Sequence, residues 1–132
     1  MLRLSPALAD LARLYPWMER AAAGSGVPPA LLPGMQVVLE EVVSNIARHG
    51  FAPGAPGEIE VVLAQDGAGF SLTVRDDGAA FDPTAAPARP RRASLLEDEV
   101  GGWGLGLVRH FCADIVYARV EGRNALTLRF TG

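Results

Sequence analysis

One stretch of this chain, residues 29–48, repeats apolar side chains at the spacing of an α-helix, and no other feature constrains the fold as strongly. The repeating positions are Met35, Val38, Leu39, Val42 and Ile46. A helix with one apolar face has to bury that face against a second layer of structure. Gly50 is placed to end the helix, so the second layer has to come from other parts of the chain.

The second layer is predicted from segments that have the length and composition of β-strands. They form two hairpins, residues 58–65 with 70–75 and residues 115–120 with 125–130, around the turns Asp66–Gly69 and Glu121–Asn124. Phe70, Leu72 and Val74 alternate with polar residues, which indicates that one face of their strand is buried and the other is exposed to solvent. A sheet with such a face can cover the helix.

Three further segments complete the predicted elements: a strand at residues 2–4, a helix at about 6–23 that Pro16 kinks or shortens, and a helix at 104–113. Helices on one face of paired antiparallel strands give an α+β fold, a two-layer α/β sandwich. We therefore expect a mixed, mostly antiparallel sheet covered on one face by about three helices. At 132 residues, the chain is expected to be a single domain, residues 1–132.

Composition argues against several classes of function. Twelve basic and fifteen acidic side chains give a net charge of −3. This charge gives no electrostatic reason to expect binding to nucleic acid or to an anionic membrane. No apolar run approaches the roughly 18 residues of a membrane span, and the N-terminus lacks the layout of a signal peptide. Cys112 is the single cysteine, so neither a disulfide framework nor a thiolate metal site is predicted. These features favour a cytoplasmic protein.

Three polar residues of the helix at 29–48 share one stripe beside its apolar face. Glu41, Asn45 and Arg48 lie at i, i+4 and i+7. An amide oxygen is a hard ligand suited to Mg²⁺, which takes phosphate oxygens and water as its other ligands. A neighbouring carboxylate can accept a proton from a hydroxyl or a water molecule. The alternative interpretation is a solvated helix edge with a salt bridge.

A carboxylate is predicted to face the interior where the strand at 70–75 ends. Continuing the alternation of that strand puts Asp76 on the side of Leu72 and Val74, and a buried carboxylate needs a hydrogen-bond donor. The exocyclic amine of adenine is such a donor, and Gly78 would let the base approach the backbone closely. The alternative is a simple turn, because Asp-Gly after a strand is a common turn sequence.

A glycine-rich segment, residues 101–107, opens the last predicted helix. Glycines at a helix N-terminus free backbone N–H groups to face an anion, and the helix dipole favours phosphate there. The spacing matches neither the Walker pattern nor the Rossmann fingerprint. The alternative is a flexible loop that leads into a helix.

In this order, the three segments resemble the N, G1 and G2 boxes of the GHKL ATPase superfamily, which includes histidine kinases and anti-sigma-factor serine kinases. The resemblance runs from about residue 35 to residue 130. It implies that Glu41 is the general base, Asn45 the magnesium ligand and Arg48 a residue near the phosphates. It also implies that Asp76 binds adenine. The other nucleotide-binding positions that it implies are Gly78, Phe81, Gly102, Gly104, Leu105, Gly106 and Leu107.

The same resemblance implies ATP and Mg²⁺ as the ligands, and an ATP lid at about residues 82–101. The sequence departs from the family at Ala80, where many members have a second glycine. Because alanine is also small, we expect nucleotide binding to be retained. His49 and His110 lie within the domain and are interpreted as structural residues.

Two segments, Asn45–Phe51 and Asp77–Pro83, resemble the stand-alone anti-sigma-factor serine/threonine kinases. We expect neither a transducer domain nor a hairpin with a phosphoacceptor histidine, in keeping with this resemblance. The resemblance implies transcriptional regulation by partner switching. The protein would bind a sigma factor or another regulatory protein and phosphorylate a serine on a STAS-domain antagonist. A homodimer is also expected. Two alternatives remain: a nucleotide-gated module that sequesters a partner without kinase activity, and a simple ATPase subunit.

Overall fold

The computed structural model describes residues 1–84 and 105–131. The helices in this part of the chain are α1 (Leu8–Leu11), α2 (Leu14–Ser25), α3 (Leu32–His49) and α4 (Leu105–Phe111). The strands are β1 (Leu2–Leu4), β2 (Ile59–Asp66), β3 (Gly69–Asp76), β4 (Asp114–Val120) and β5 (Arg123–Thr131). Most of the predicted lid, residues 85–101, lies outside the described residues, as do Gly102 and Gly104.

The strands form one sheet in the order β1-β2-β3-β5-β4. Every pairing between the described strands is antiparallel, so the expected mixed sheet is antiparallel throughout this part of the chain. The register of β3 and β5 pairs Val74 with Leu126 and, two residues further along β3, Asp76 with Asn124. An apolar sheet face therefore ends in two polar side chains.

Both hairpins close through two-residue turns, which are tighter than predicted. Gly67 and Ala68 join β2 to β3, and Glu121 and Gly122 join β4 to β5. The backbone φ is 51° at Glu121 and 78° at Gly122, as in the turns whose twist matches that of the flanking strands. The prediction that the second turn extends to Asn124 is wrong, because Asn124 belongs to β5.

The core lies between the sheet and the helices. Helices α2 and α3 pack against each other and against β2 and β3, while α4 packs against α3. The predicted apolar positions of α3 are all buried, which confirms the face read from the sequence. The largest fully buried side chains include Phe130, Met18, Met35, Leu39, Ile59, Leu72 and Leu128. The expected two-layer α+β sandwich is confirmed.

The prediction of a single helix at residues 6–23 is wrong, because two helices occupy this region. Helix α1 ends at Leu11 and α2 begins at Leu14. Pro16 is the third residue of α2, in the first helical turn, where an N–H group would have no intrahelical partner. The proline therefore lies near the start of a helix rather than at a kink within one. None of the described helices has both the length and the apolar character needed to cross a membrane.

Candidate functional site

A cavity of about 330 Å³ opens where the C-terminal end of α3 meets the end of β3 and the beginning of β5. Its helix-side wall is formed by Ile46, His49 and Gly50. The loop after β3 and the strands supply the remaining lining, which is Asp76, Ala79, Ala80, Phe81, Pro83, Tyr117, Asn124 and Leu126. Mostly apolar walls with a few convergent polar groups are typical of a site for a small organic ligand.

Asp76 is the carboxylate in this wall, and its alternation with Val74 places it on the buried side of β3, as predicted. It is 3% exposed. Its Oδ1 accepts hydrogen bonds from the backbone N–H of Gly78 at 2.9 Å and from Asn124 Nδ2 at 3.0 Å. Within the described part of the chain, no hydrogen bond reaches Oδ2. Asp76 therefore keeps one carboxylate oxygen that can accept a hydrogen bond from a ligand.

Burial is the main influence on the ionisation of Asp76, and it raises the pKa of the carboxyl above its ordinary value. The hydrogen bonds from Asn124 and Gly78 and the guanidinium of Arg119 act in the opposite direction. Arg119 also donates to the carbonyl oxygen of Gly78 at 3.1 Å. The loop after β3 is thus held to β4 close to the carboxylate.

Asn124 joins the carboxylate to the loop that lines the cavity. Its Nδ2 donates to Asp76 Oδ1 at 3.0 Å and to the Ala79 carbonyl at 2.8 Å. Its Oδ1 accepts from the Phe81 N–H at 3.2 Å and from the Tyr117 hydroxyl at 2.5 Å. Asn124 is buried, and these bonds use both donors and both acceptor sites of the amide.

Gly78 is required by a close approach of two backbone segments. A Cβ at this position would lie 2.5 Å from the carbonyl oxygen of Gly50 and 3.0 Å from Asp76 Oδ1. The N–H of Ala79 donates to the same Gly50 carbonyl at 3.2 Å. Glycine at 78 therefore lets the loop after β3 lie against the end of α3, which closes the cavity on that side.

The predicted polar stripe on α3 is a connected set of side chains. Asn45 Nδ2 donates to Glu41 Oε2 at 2.9 Å, and the Arg48 guanidinium donates to Asn45 Oδ1. Asn45 is fully buried, Glu41 is half-buried and Arg48 is exposed. The complete burial of Asn45 does not fit the alternative of a solvated helix edge. None of the three side chains lines the cavity, although their stripe approaches the same end of α3.

Helix α4 packs against the side of α3 that carries this stripe. Gly34 lies seven residues before Glu41, on the same side of the helix, and a Cβ there would lie 2.7 Å from Cδ1 of Phe111 in α4. The helix predicted at 104–113 is therefore present, with the shorter bounds of α4. Leu105, Gly106 and Leu107 belong to its first turns, while their role in binding phosphate stays a prediction.

Three polar side chains of the cavity, Asn124, Tyr117 and His49, were not among the predicted site residues. Asn124 was assigned to a turn, and its role depends on a strand register that pairs it with a residue 48 positions away. Tyr117 lies on the edge strand β4, whose alternation could have indicated an inward side chain. His49, interpreted as a helix-end residue, is the last residue of α3 and also lines the cavity. It lies one helical turn after Asn45, and this spacing was the signal in the sequence.

Comparison with known proteins identifies the family to which a chain with this fold belongs. Residues 4–130 match the family described as histidine kinase-like ATPase domain, and the chain belongs to this family. It is 38% identical over 112 residues to the serine/threonine-protein kinase BtrW of Bordetella bronchiseptica, which covers 85% of this chain and 79% of that protein. It is 30% identical over 102 residues to the sensor protein kinase CarS of Pseudomonas aeruginosa. That match covers 77% of this chain and 23% of CarS.

The fold is also similar to that of a solved structure, the histidine kinase domain of the blue-light activated histidine kinase of Erythrobacter litoralis EL346. The TM-score is 0.56 at 19% sequence identity, and the match covers 92% of this chain and 59% of that one. At this level of identity the likeness concerns the fold alone. GHKL ATPase domains bind ATP, usually with Mg²⁺, and the resemblance inferred from the three sequence segments is confirmed by the family match.

Proposed function

We propose that the cavity binds the adenine of ATP, and that Asp76 Oδ2 accepts a hydrogen bond from the exocyclic amine. The supporting observation is the asymmetry of the carboxylate, because Oδ1 has two donors from the protein and Oδ2 has none among the described residues. Phe81, Ile46 and Leu126 supply apolar surface around the same cavity. A carboxylate oxygen in an apolar setting favours a ligand that brings its own donor.

The residues also fit a magnesium ion bound largely through the nucleotide. No cluster of three or more acidic, histidine or cysteine side chains that could hold a metal is found among the described residues. Mg²⁺ is commonly held by few protein ligands together with phosphate oxygens and water, and Asn45 Oδ1 is a suitable oxygen. When bound, the ion would neutralise charge on the phosphates. Arg48, which donates to Asn45 Oδ1, is close enough to this position to contribute positive charge.

The proposed activity is transfer of the γ-phosphoryl group of ATP to a serine or threonine of a protein. Glu41 is the proposed general base, which accepts the hydroxyl proton during transfer. Its Oε2 accepts a hydrogen bond from the buried amide of Asn45 at 2.9 Å, so the carboxylate is held in a fixed position beside the proposed metal ligand. This geometry carries the proposal, and the likeness to a protein named serine/threonine-protein kinase supports it.

Partner switching is the proposed cellular role, as expected for an anti-sigma-factor kinase. In this proposal the domain binds a sigma factor or a comparable regulator and phosphorylates a serine of a STAS-domain antagonist in the cytoplasm. Homodimer formation belongs to the same proposal. The two alternatives, partner sequestration without kinase activity and simple ATP hydrolysis, would use the same cavity but would label no protein.

A phosphoryl-transfer assay tests this function. The purified chain is incubated with γ-radiolabelled ATP, Mg²⁺ and a STAS-domain protein encoded beside its gene. We expect label on a serine of that protein. Glu41→Gln should lower the rate by about 100-fold or more, in the range for loss of a general base, and should leave ATP affinity within about threefold. Glu40→Gln is the matched control, because Glu40 is adjacent in sequence but exposed on α3.

The outcomes separate the alternatives. Tight ATP binding without labelled protein would favour the sequestering module. Release of inorganic phosphate in proportion to the ATP consumed, again without labelled protein, would favour the simple ATPase. Normal transfer by Glu41→Gln would show that Glu41 is not the base.

A further inference from the structure

The orientation of the Asn124 amide is determined by backbone groups on both of its sides. The Ala79 carbonyl can only accept a hydrogen bond, and the Phe81 N–H can only donate one. The nitrogen of the Asn124 amide must therefore face Ala79, and its oxygen must face Phe81. Because the same nitrogen lies 3.0 Å from Asp76 Oδ1, that carboxylate oxygen is always provided with a donor.

Tyr117 reinforces this orientation from the edge strand. Its hydroxyl lies 2.5 Å from Asn124 Oδ1, where it can donate the second hydrogen bond that the amide oxygen accepts. The side chain lies on the same sheet face as Asn124, since Tyr117 is paired with Leu126 in the register of β4 and β5. Flipping the amide would place its NH₂ group against the Phe81 N–H and would break the hydrogen bonds to Asp76 and Ala79.

We propose that Asn124, supported by Tyr117, is a positioning residue for base recognition. By donating to Asp76 Oδ1 it holds the carboxylate so that Oδ2 faces the cavity and accepts from an amine. By bonding Ala79 and Phe81 it holds the loop wall of the cavity at the same time. This inference rests on the proposed function, since the amine is taken to be that of adenine.

Loss of this side chain would affect selectivity as well as affinity. Without the Asn124 donor, Asp76 Oδ1 would keep a single hydrogen bond, from the Gly78 N–H. The carboxylate would then be held less firmly, so it could rotate away from the orientation that turns Oδ2 to the cavity, or recruit water. A ligand with an amine would then gain less affinity from its hydrogen bond to Asp76 Oδ2. A residue that only stabilised the cavity walls would instead change the affinity for every purine nucleotide by the same factor.

The test compares ATP with purine riboside triphosphate, a nucleotide that lacks the exocyclic amine. Calorimetry with Mg²⁺ gives the ratio of the two dissociation constants for each variant. We expect the unmodified chain to prefer ATP by about tenfold or more, the range for a hydrogen bond to a charged group. Asn124→Ala should reduce this ratio to about threefold or less, and Tyr117→Phe should reduce it by about two- to threefold. Thr127→Ala, on the opposite face of β5, should leave it unchanged.

The results distinguish this inference from the proposed function. An unmodified chain that does not bind ATP, or does not prefer it, refutes the proposed function. An unmodified chain that prefers ATP, together with an unchanged ratio in Asn124→Ala, overturns the positioning role. If Asn124→Ala does not fold, Tyr117→Phe decides, because it removes a single hydroxyl group, and an unchanged ratio there also overturns the role.

Discussion

Replacing Asp76 with asparagine should separate nucleotide recognition from folding. Both protein hydrogen bonds to this side chain go to Oδ1, and an amide oxygen can accept both. The amide nitrogen would then take the position of Oδ2. In Asp76→Asn a donor therefore faces the cavity where the proposed ligand also presents a donor, while the contacts with Gly78 and Asn124 are retained.

The expected loss of ATP affinity follows from the replacement of one atom, Asp76 Oδ2, by the amide nitrogen. A hydrogen bond to a charged acceptor contributes about 1.5–3 kcal/mol, which corresponds to about a 10- to 150-fold weaker affinity for ATP. The free energy of unfolding near neutral pH should change little or rise slightly, because burial of the ionised carboxylate, which raises its pKa, is relieved.

The assay is calorimetric titration with a non-hydrolysable ATP analogue and Mg²⁺, accompanied by chemical denaturation of the same samples. Asp77→Asn is the matched control. It makes the same charge change at the next residue, whose exposed carboxylate accepts from the Glu58 N–H instead. Wild-type affinity in Asp76→Asn would refute the recognition proposed here. A large loss of stability in that variant would show that Asp76 acts mainly in folding.

Two further predictions concern stability. Gly78→Ala should lower the free energy of unfolding, measured by denaturant titration, by about 1–3 kcal/mol, because the new Cβ would lie 2.5 Å from the Gly50 carbonyl oxygen. The control is Gly24→Ala, which has open space around its Cβ and should raise the free energy of unfolding slightly. Because the pKa of Asp76 is raised in the folded state, its contribution to the free energy of unfolding is fully present below its ordinary pKa of 3.8. This contribution is lost as the pH rises through the folded-state pKa. Denaturation between about pH 3 and pH 7 should therefore show the wild type losing stability relative to Asp76→Asn as pH rises; a relative gain would contradict the direction of the shift.

Local patterns predicted the elements that approach the site. Helical spacing located the stripe of Glu41, Asn45 and Arg48, and strand alternation turned Asp76 inward, because both patterns depend on residues close in sequence. The same reasoning correctly ended α3 at Gly50. These predictions needed no knowledge of how the strands pair.

The partners of Asp76 could not be predicted in this way. Asn124 reaches it through the register between β3 and β5, which are far apart in sequence. Asn124 belongs to β5 because the turn before that strand is short, and in this turn a non-glycine residue, Glu121, has positive φ. Such a conformation is uncommon outside glycine, so the turn was predicted to be longer and Asn124 was left within it. The close approach of Gly50 to Gly78 likewise depends on tertiary packing, which the sequence pattern does not contain.

The central claim is that this cavity recognises adenine, and titration of the unmodified chain with ATP and with GTP in the presence of Mg²⁺ tests it most directly. GTP presents a carbonyl oxygen where ATP presents an amine, and this oxygen would meet Asp76 Oδ2 as a second acceptor. We predict that ATP binds and that GTP binds at least about tenfold more weakly. Equal affinities, or no ATP binding up to about millimolar concentration, would contradict the claim.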